Sequence, residues 1–265
     1  MFTIDNYVMA ENLEEAYSLN QNRRNVILGG TMWLRLGRKK IGKAIDLSSL
    51  GLNNIEEDDE KFTIGCMCTL RNIETNKSLN KYFNGIIAKS VNNIVGVQLR
   101  NGATIGGTLF SRFGFSDVLT ALLSLDTYVN LYKGGIVPLS DFVNMPLDND
   151  ILINVIIKKD SRRASYLTHR KSSSDLPVLA CAVSNYDGEW NVVLGARPMK
   201  AKLINIKKNY NLTKDDVVEE MLEIIKQNIG FGSNYRGSGK YRQILAEVLV
   251  RRNIDEIISG GNHGN

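Results

Sequence analysis

Val26-Ile27-Leu28-Gly29-Gly30-Thr31 and Ala103-Thr104-Ile105-Gly106-Gly107-Thr108 follow one pattern: a short apolar run, a glycine pair, then a threonine. A glycine pair lets the chain turn sharply and leaves bare backbone N–H groups open to whatever lies above them. Each pair leads into a stretch compatible with a helix, so both turns present their amides at the end of a packed element. Taken singly, a strand ending in Gly-Gly is also what a plain tight turn looks like. Taken together, the two turns are expected to face one another across a diphosphate, which makes the chain a binder of a phosphate-bearing cofactor.

The rest of the composition narrows the class. The chain has 265 residues, 43% hydrophobic and 23% charged with only 4 prolines, enough to bury a sizeable core in about two domains. Its net charge of +5 comes from short runs of both signs, such as Arg38-Lys39-Lys40 against Glu56-Glu57-Asp58-Asp59-Glu60. No basic stripe with interleaved aromatics occurs, so nucleic acid is not an expected partner. No apolar stretch approaches membrane-spanning length, and the start of the chain through Asp5-Asn6 lacks the basic and apolar run of a signal peptide. The cytoplasm is the expected compartment. Cys66 and Cys68 alternate along a strand and Cys181 is remote; with two histidines in the chain, no zinc or cluster site is expected and the thiols read as structural.

Along the chain, Asn12 with Glu15 three residues later reads as a helix start, with Leu13, Ala16 and Tyr17 as its apolar face. Val26–Leu28, Ala44–Leu47 and Phe62–Cys66 read as strands, and Leu70, Ile73, Leu79, Ile86, Ile87 and Val91 as one helical stretch. Val118 to Leu125 suits one buried helix, and Tyr128–Tyr132 and Ile151–Ile157 suit strands. The basic segment Lys158 to Arg163 marks a boundary between domains at 1–158 and 163–262. Beyond it, Val178–Val183 and Trp190–Leu194 flank Asp187-Gly188, a strong hairpin signal, and two amphipathic helices follow. The expected class is α+β, a cofactor domain of two subdomains followed by a small antiparallel sheet with helices.

The chemistry is that of a holder. Gly-x-Gly-x-x-Gly is absent, and so is the Gly-x-x-x-x-Gly-Lys-Ser/Thr loop of nucleotide triphosphatases. Thr104, Thr108, Ser111 and Ser116 supply hydroxyls near the second pair, and Asp117 can accept hydrogen bonds from a sugar; Ser116-Asp117 equally suits the cap of the helix that follows. His169 sits in a basic, serine-rich segment with no carboxylate beside it in sequence, and no serine lies in a Gly-x-Ser-x-Gly elbow. No catalytic side chain is expected, which suits a chain whose reactivity belongs to its cofactor.

At this point the chain resembles the FAD-binding medium subunits of molybdenum hydroxylases, the xanthine dehydrogenase and carbon monoxide dehydrogenase family. The resemblance is carried by Leu28-Gly29-Gly30-Thr31 with Ala44-Ile45-Asp46-Leu47, and by Leu99-Arg100-Asn101-Gly102-Ala103-Thr104-Ile105-Gly106-Gly107 with Ser116-Asp117 and Leu122 to Thr127. Leu194-Gly195-Ala196 and Arg236-Gly237-Ser238-Gly239-Lys240-Tyr241-Arg242 match the C-terminal domain of carbon monoxide dehydrogenase flavoprotein type. The matches run in order along nearly the whole chain.

The resemblance implies that Ile27, Leu28, Gly29, Gly30, Thr31, Met32 and Trp33 wrap the FAD pyrophosphate, with Thr104, Gly106, Gly107 and Thr108 as the opposing loop. It implies that Ser111 and Asp117 touch phosphate or sugar hydroxyls, that Ile94 and Val95 flank the adenine, and that Ile151 or Leu152 lines the flavin. It further implies a large partner subunit with the molybdenum cofactor, a small one with 2Fe-2S clusters, and NAD+ as acceptor. Two departures stand out: Thr108 occupies the place of the family's usual asparagine, and Leu167 or Thr168 that of a lysine which approaches the flavin in xanthine dehydrogenases. A free-standing FAD oxidoreductase and a scaffold subunit without flavin are the alternatives.

Overall fold

In a computed structural model, residues 2–207 and 214–260 are described, and they divide into two compact units woven from alternating segments. Unit 1 comprises residues 1–73, 97–111 and 127–158, and unit 2 comprises 74–96, 112–126 and 159–265. Mixed helix and sheet, as the pattern predicts, is the observed class.

Unit 1 opens with strand β1 (Thr3–Met9), helix α1 (Leu13–Asn20), β2 (Val26–Leu28) and β3 (Lys40–Asp46), which form a parallel three-stranded sheet in the order β1-β3-β2. The start of α1 is as the sequence foretells. The Asn12 side chain accepts from the Glu15 amide at 2.8 Å, while the Glu15 carboxylate accepts from the Glu11 amide at 2.8 Å, so two otherwise orphan donors are satisfied. β1 was not foreseen as a strand. Its residues are almost all exposed, so it carries no clean apolar alternation, and its backbone pairs with the distant β3.

A second, antiparallel sheet is built from β4 (Ile55–Glu57), β5 (Lys61–Gly65), β6 (Thr127–Leu131), β7 (Gly135–Pro138) and β8 (Leu152–Lys158), in the order β4-β5-β8-β6-β7. Phe62, Ile64, Val155 and Ile157 are fully buried on one face of it. Each contributes about 1.5–3 kcal/mol as an upper bound for its removal from water. The short helices α2 (Leu70–Thr75), α4 (Val97–Gly102), α5 (Ile105–Phe110) and α7 (Leu139–Phe142) link these strands, with α2 running across the edge of the unit.

Unit 2 contains α3 (Ile86–Val91), α6 (Asp117–Leu123) and a four-stranded antiparallel sheet of β9 (Arg163–His169), β10 (Leu179–Tyr186), β11 (Glu189–Gly195) and β12 (Lys202–Lys207), ordered β12-β11-β10-β9. Asp187 and Gly188 adopt φ of +47° and +77°, the backbone a two-residue hairpin turn needs. Leu179, Cys181 and Val183 of β10 point into a core shared with α8 (Lys214–Asn228) and α9 (Gly239–Ile258). The alternate residues Ala180, Ala182 and Ser184 are buried as well, on the face that meets α6. All seven residues of α6 are buried, as expected of a helix covered on every side.

The expected single helix from Leu70 to Val91 is broken. Phe83, Asn84 and Gly85 all take positive φ, at +53°, +57° and +69°, and a right-handed helix cannot pass through three such residues. Only α2, two short 3-10 turns and α3 remain.

Arg242 in α9 is fully buried and donates to the carbonyls of Val178, Gly232 and Gly237 and to the Asn234 side chain. One guanidinium thus gathers the whole loop that enters the helix. Ser238 caps that helix, accepting from the Tyr241 amide at 3.1 Å. These contacts give the Arg236-to-Arg242 sequence its structural meaning.

Candidate functional site

The two glycine turns meet in unit 1. Thr104 immediately precedes α5, and its hydroxyl oxygen accepts from the Gly107 amide at 3.2 Å as the cap of that helix. The same oxygen lies 3.3 Å from the Gly30 amide of the other turn. A Cβ added to Gly29 would come within 3.0 Å of that oxygen and 3.4 Å of the Gly107 Cα. A Cβ on Gly30 would sit 1.4 Å from the Gly102 carbonyl oxygen, a position no side chain can share. The turns are therefore nested backbone against backbone, and the glycines are what allows it.

Neighbouring contacts hold this arrangement. The Gly106 amide donates to the Cys66 carbonyl at 2.9 Å, and a Cβ on Gly106 would lie 2.7 Å from that oxygen. The end of β5 thus fixes the second turn. Beyond the first turn, Thr31 has φ of +57°, a left-handed conformation that a β-branched residue rarely takes. Successive amides around such a residue converge into a concavity suited to an anion. The first pair does not lead into an α-helix as expected; a 3-10 turn at Leu34–Leu36 follows it.

A cavity of about 320 Å³ opens beside the two turns. Ile27, Gly29, Thr104, Gly106, Gly107, Ser111, Ile151 and Leu152 all line it, eight of the residues expected at the site. Gly30 joins them through its bond to Thr104. Leu28, Thr31, Met32, Trp33 and Thr108 lie in the same unit outside this lining, with Trp33 about half exposed. Ile94, Val95 and Asp117 belong to unit 2. Val95 is exposed there with φ of +52°, and Ser116 caps α6 through the Leu119 amide at 3.1 Å, leaving Asp117 as its first residue.

The cavity also collects residues that no local pattern marks. Lys39, Asn25 and Met67 face it, and so does the segment from Asp148 to Asp150. Asn20 tethers that segment by donating to the Asn149 carbonyl at 2.7 Å. The Asp150 carboxylate accepts from the amides of Lys133, Gly134 and Ile151, which leaves it well satisfied where it is. Cys66 lines the same space as a buried thiol. Burial pushes it up to about 12, and Cys68 to about 11, so both are protonated and inert at neutral pH. Among the described residues, no three His, Cys, Asp or Glu side chains gather as a metal site requires.

In unit 2, Leu167 packs against the core under α9, and the Thr168 hydroxyl accepts from Arg170 at 3.2 Å. No cation comes from these two positions. His169 shares a hydrogen bond of 3.1 Å with the Tyr241 hydroxyl. None of the helices among the described residues is long and apolar enough to cross a membrane.

A cradle of side-chain-free backbone, a left-handed threonine and an adjoining cavity fits a diphosphate-bearing cofactor. Comparison with known proteins agrees. An Escherichia coli protein called YgfM, itself uncharacterised, is 26% identical over 214 residues, which is 80% of this chain and 78% of that one. The alpha subunit of the 6-hydroxypseudooxynicotine dehydrogenase complex of Paenarthrobacter nicotinovorans is 27% identical, over 56% of this chain and 55% of its own. Among solved structures, a chain of the reconstituted CO dehydrogenase of Oligotropha carboxidovorans superposes with a TM-score of 0.84 at 18% identity, covering 97% of this chain and 98% of that one. A chain of quinoline 2-oxidoreductase from Pseudomonas putida 86 does so with a TM-score of 0.80 at 18% identity, over 96% and 97%. Residues 2–159 match the family described as the FAD binding domain in molybdopterin dehydrogenase, and to that family this chain belongs.

Proposed function

We propose that this chain is the FAD-carrying, electron-transferring subunit of a molybdenum hydroxylase assembly. The observation that supports it most directly is the single Thr104 hydroxyl on which the amides of Gly30 and Gly107 both converge. Two glycine turns nested this way bring side-chain-free backbone together beside the cavity, which leaves room for a diphosphate with no side chain in the way.

In this reading, Gly29 to Trp33 and Thr104 to Thr108 hold the diphosphate. Ile151 and Leu152, both nearly fully buried, offer an apolar wall to the flavin ring and exclude water from it. Ile94 and Val95 flank the adenine, and Asp117 and Ser111 take the phosphate or sugar hydroxyls. Bound FAD supplies the redox chemistry, joining one-electron donors to a two-electron acceptor. No acid–base side chain of this chain need take part.

The partners in this reading are a large subunit with the molybdenum cofactor and a small one with 2Fe-2S clusters, and NAD+ is the acceptor in the manner of xanthine dehydrogenase. The name of the Paenarthrobacter relative, a dehydrogenase complex subunit, supports an assembly. The NAD+ part rests on the resemblance to xanthine dehydrogenase.

The test is purification of the chain from cells that also express its neighbours. Flavin absorbance bands, with FAD released on denaturation and iron and molybdenum in the co-purifying chains, are the expected result. A colourless chain in such a complex means the scaffold alternative. A yellow chain that oxidises substrate alone means the free-standing oxidoreductase. Reduction of NAD+ by the reduced complex tests the acceptor.

A further inference from the structure

We propose that a second cavity, formed wholly within unit 2, binds a small aromatic carboxylate through the guanidinium of Arg236. The inference stands apart from the flavin reading.

The cavity measures about 270 Å³, near the lower end of ligand pockets and enough for a single ring with its acid group. Four loops build it: those that precede α6, join β9 to β10, join β11 to β12 and lead into α9. They are braced against one another before any ligand arrives. A Cβ on Gly114 would lie 2.0 Å from the Met199 carbonyl oxygen, and the Ala196 amide donates to the Gly114 carbonyl at 2.6 Å. Arg197 donates to the carbonyls of Lys200 at 2.8 Å and Gly230 at 2.6 Å, and its own carbonyl accepts from the Gly232 amide at 3.0 Å. Ala196 takes φ of +56°, a left-handed conformation that these contacts sustain. A site prepared in this way loses little freedom on binding.

The lining selects the ligand. Phe115, Leu176, Pro177, Pro198 and Met199 give the cavity apolar walls. The Phe115 ring stacks on Phe113, with centroids 5.1 Å apart and planes at 10°, which fixes an aromatic surface in the wall. A flat ring is the apolar body that packs best beside it. The charge comes from Arg236, which also lines the cavity and has a side chain only 16% exposed. Its Nη2 donates to Asp175 at 3.0 Å and its Nη1 to the Tyr235 hydroxyl. Its Nε is buried with no hydrogen-bond partner among the described residues. A buried donor left unmatched is costly, and a carboxylate oxygen is the strongest acceptor a ligand brings to it.

The loops themselves call for an anion. Residues 112–116, 170–178, 196–201 and 229–238 contain Arg112, Arg170, Lys171, Arg197, Lys200 and Arg236 against one acid, Asp175. Asp117, at the start of α6, answers Arg170 and leaves the excess positive. Such a field draws a small anion to the loops and disfavours a cation.

The experiment is calorimetric titration of the purified full-length chain with benzoate, and with benzamide as its neutral twin. Benzoate is expected to saturate one site and to bind at least about 10-fold more tightly than benzamide, the scale of one charge-assisted hydrogen bond. Arg236→Met is expected to weaken benzoate about 10-fold and to erase the preference, while Arg236→Lys retains part of it. Met199→Trp, which enlarges an exposed lining residue, is the second probe if Arg236→Met does not fold, and it is expected to block both compounds. Absence of saturable benzoate binding overturns the inference. So does equal affinity for the two compounds, or benzoate affinity that is unchanged in the folded variants.

Discussion

The hydroxyl oxygen of Thr104 lies 3.3 Å from the amide nitrogen of Gly30, a residue 74 positions earlier in the chain. That contact is a staple between two turns, since the same oxygen also takes the Gly107 amide at 3.2 Å. Thr104→Val keeps the shape and removes the acceptor, so both amides lose their partner. FAD affinity is expected to fall about 10-fold, whereas Thr104→Ser keeps it close to wild type. Flavin titration of the stripped protein reads both.

Under the proposed function, the glycines are expected to separate into those that serve the fold and those that serve the ligand. Gly30→Ala would drive a methyl group into the Gly102 carbonyl at 1.4 Å, and it is expected to destabilise by about 3 kcal/mol or more. A Cβ on Gly107 meets only the Thr104 hydroxyl, at 3.3 Å. Gly107→Ala is therefore expected to melt within a few degrees of wild type, while Gly107→Val loses flavin. Melting curves beside flavin-to-protein ratios distinguish the two classes.

Much of this was legible beforehand. Glycine pairs announce themselves because no other residue tolerates such backbone crowding, and Asp187-Gly188 declares its hairpin for a related reason. What escaped the sequence depended on partners far away. β1 alternates weakly, with Asp5 and Asn6 in its middle, and exists because β3 lies beside it. β9 hides in a run of arginine, serine and threonine, and its burial comes from the elements around it. Asp148 to Asp150 reach the cavity through a tether from Asn20, and Arg170 reaches Asp117 across 53 residues; neither pairing leaves a local trace.

The loop entering α9 is expected to depend on Arg242. Arg242→Met would remove a donor from the buried Val178 carbonyl, the half-buried Gly232 and Gly237 carbonyls and the Asn234 amide oxygen at once. A loss of roughly 3–5 kcal/mol is expected, read by denaturant unfolding. Because Arg242 is not among the residues lining the cavity beside the two glycine turns, the folded fraction should still bind FAD.

The thiols give a prediction in pH. Unfolded cysteines titrate near 8.5, whereas burial holds Cys68 up at about 11 and Cys66 at about 12. In the native chain, all three buried cysteines are expected to react with a disulfide reagent at pH 8 only after denaturant is added. The unfolded state releases its thiol protons first as pH rises. The stabilisation from keeping these groups neutral is therefore complete below about pH 8.5 and lost between there and about pH 12. Cys68→Ala should flatten that decline in a series of melts.

The weaving of the chain between its two units limits how such a protein is divided or rearranged. A gene fragment ending at 158 would carry α6 while lacking β10 and β11, the strands that shelter it, and would leave Val118, Leu119, Ala121, Leu122 and Leu123 without that cover. Such a fragment is expected to aggregate instead of surviving as an autonomous module. Recombination that joins the front of one relative to the back of another must therefore preserve matching surfaces at α3 and α6, or it yields inclusion bodies where a chimera was intended.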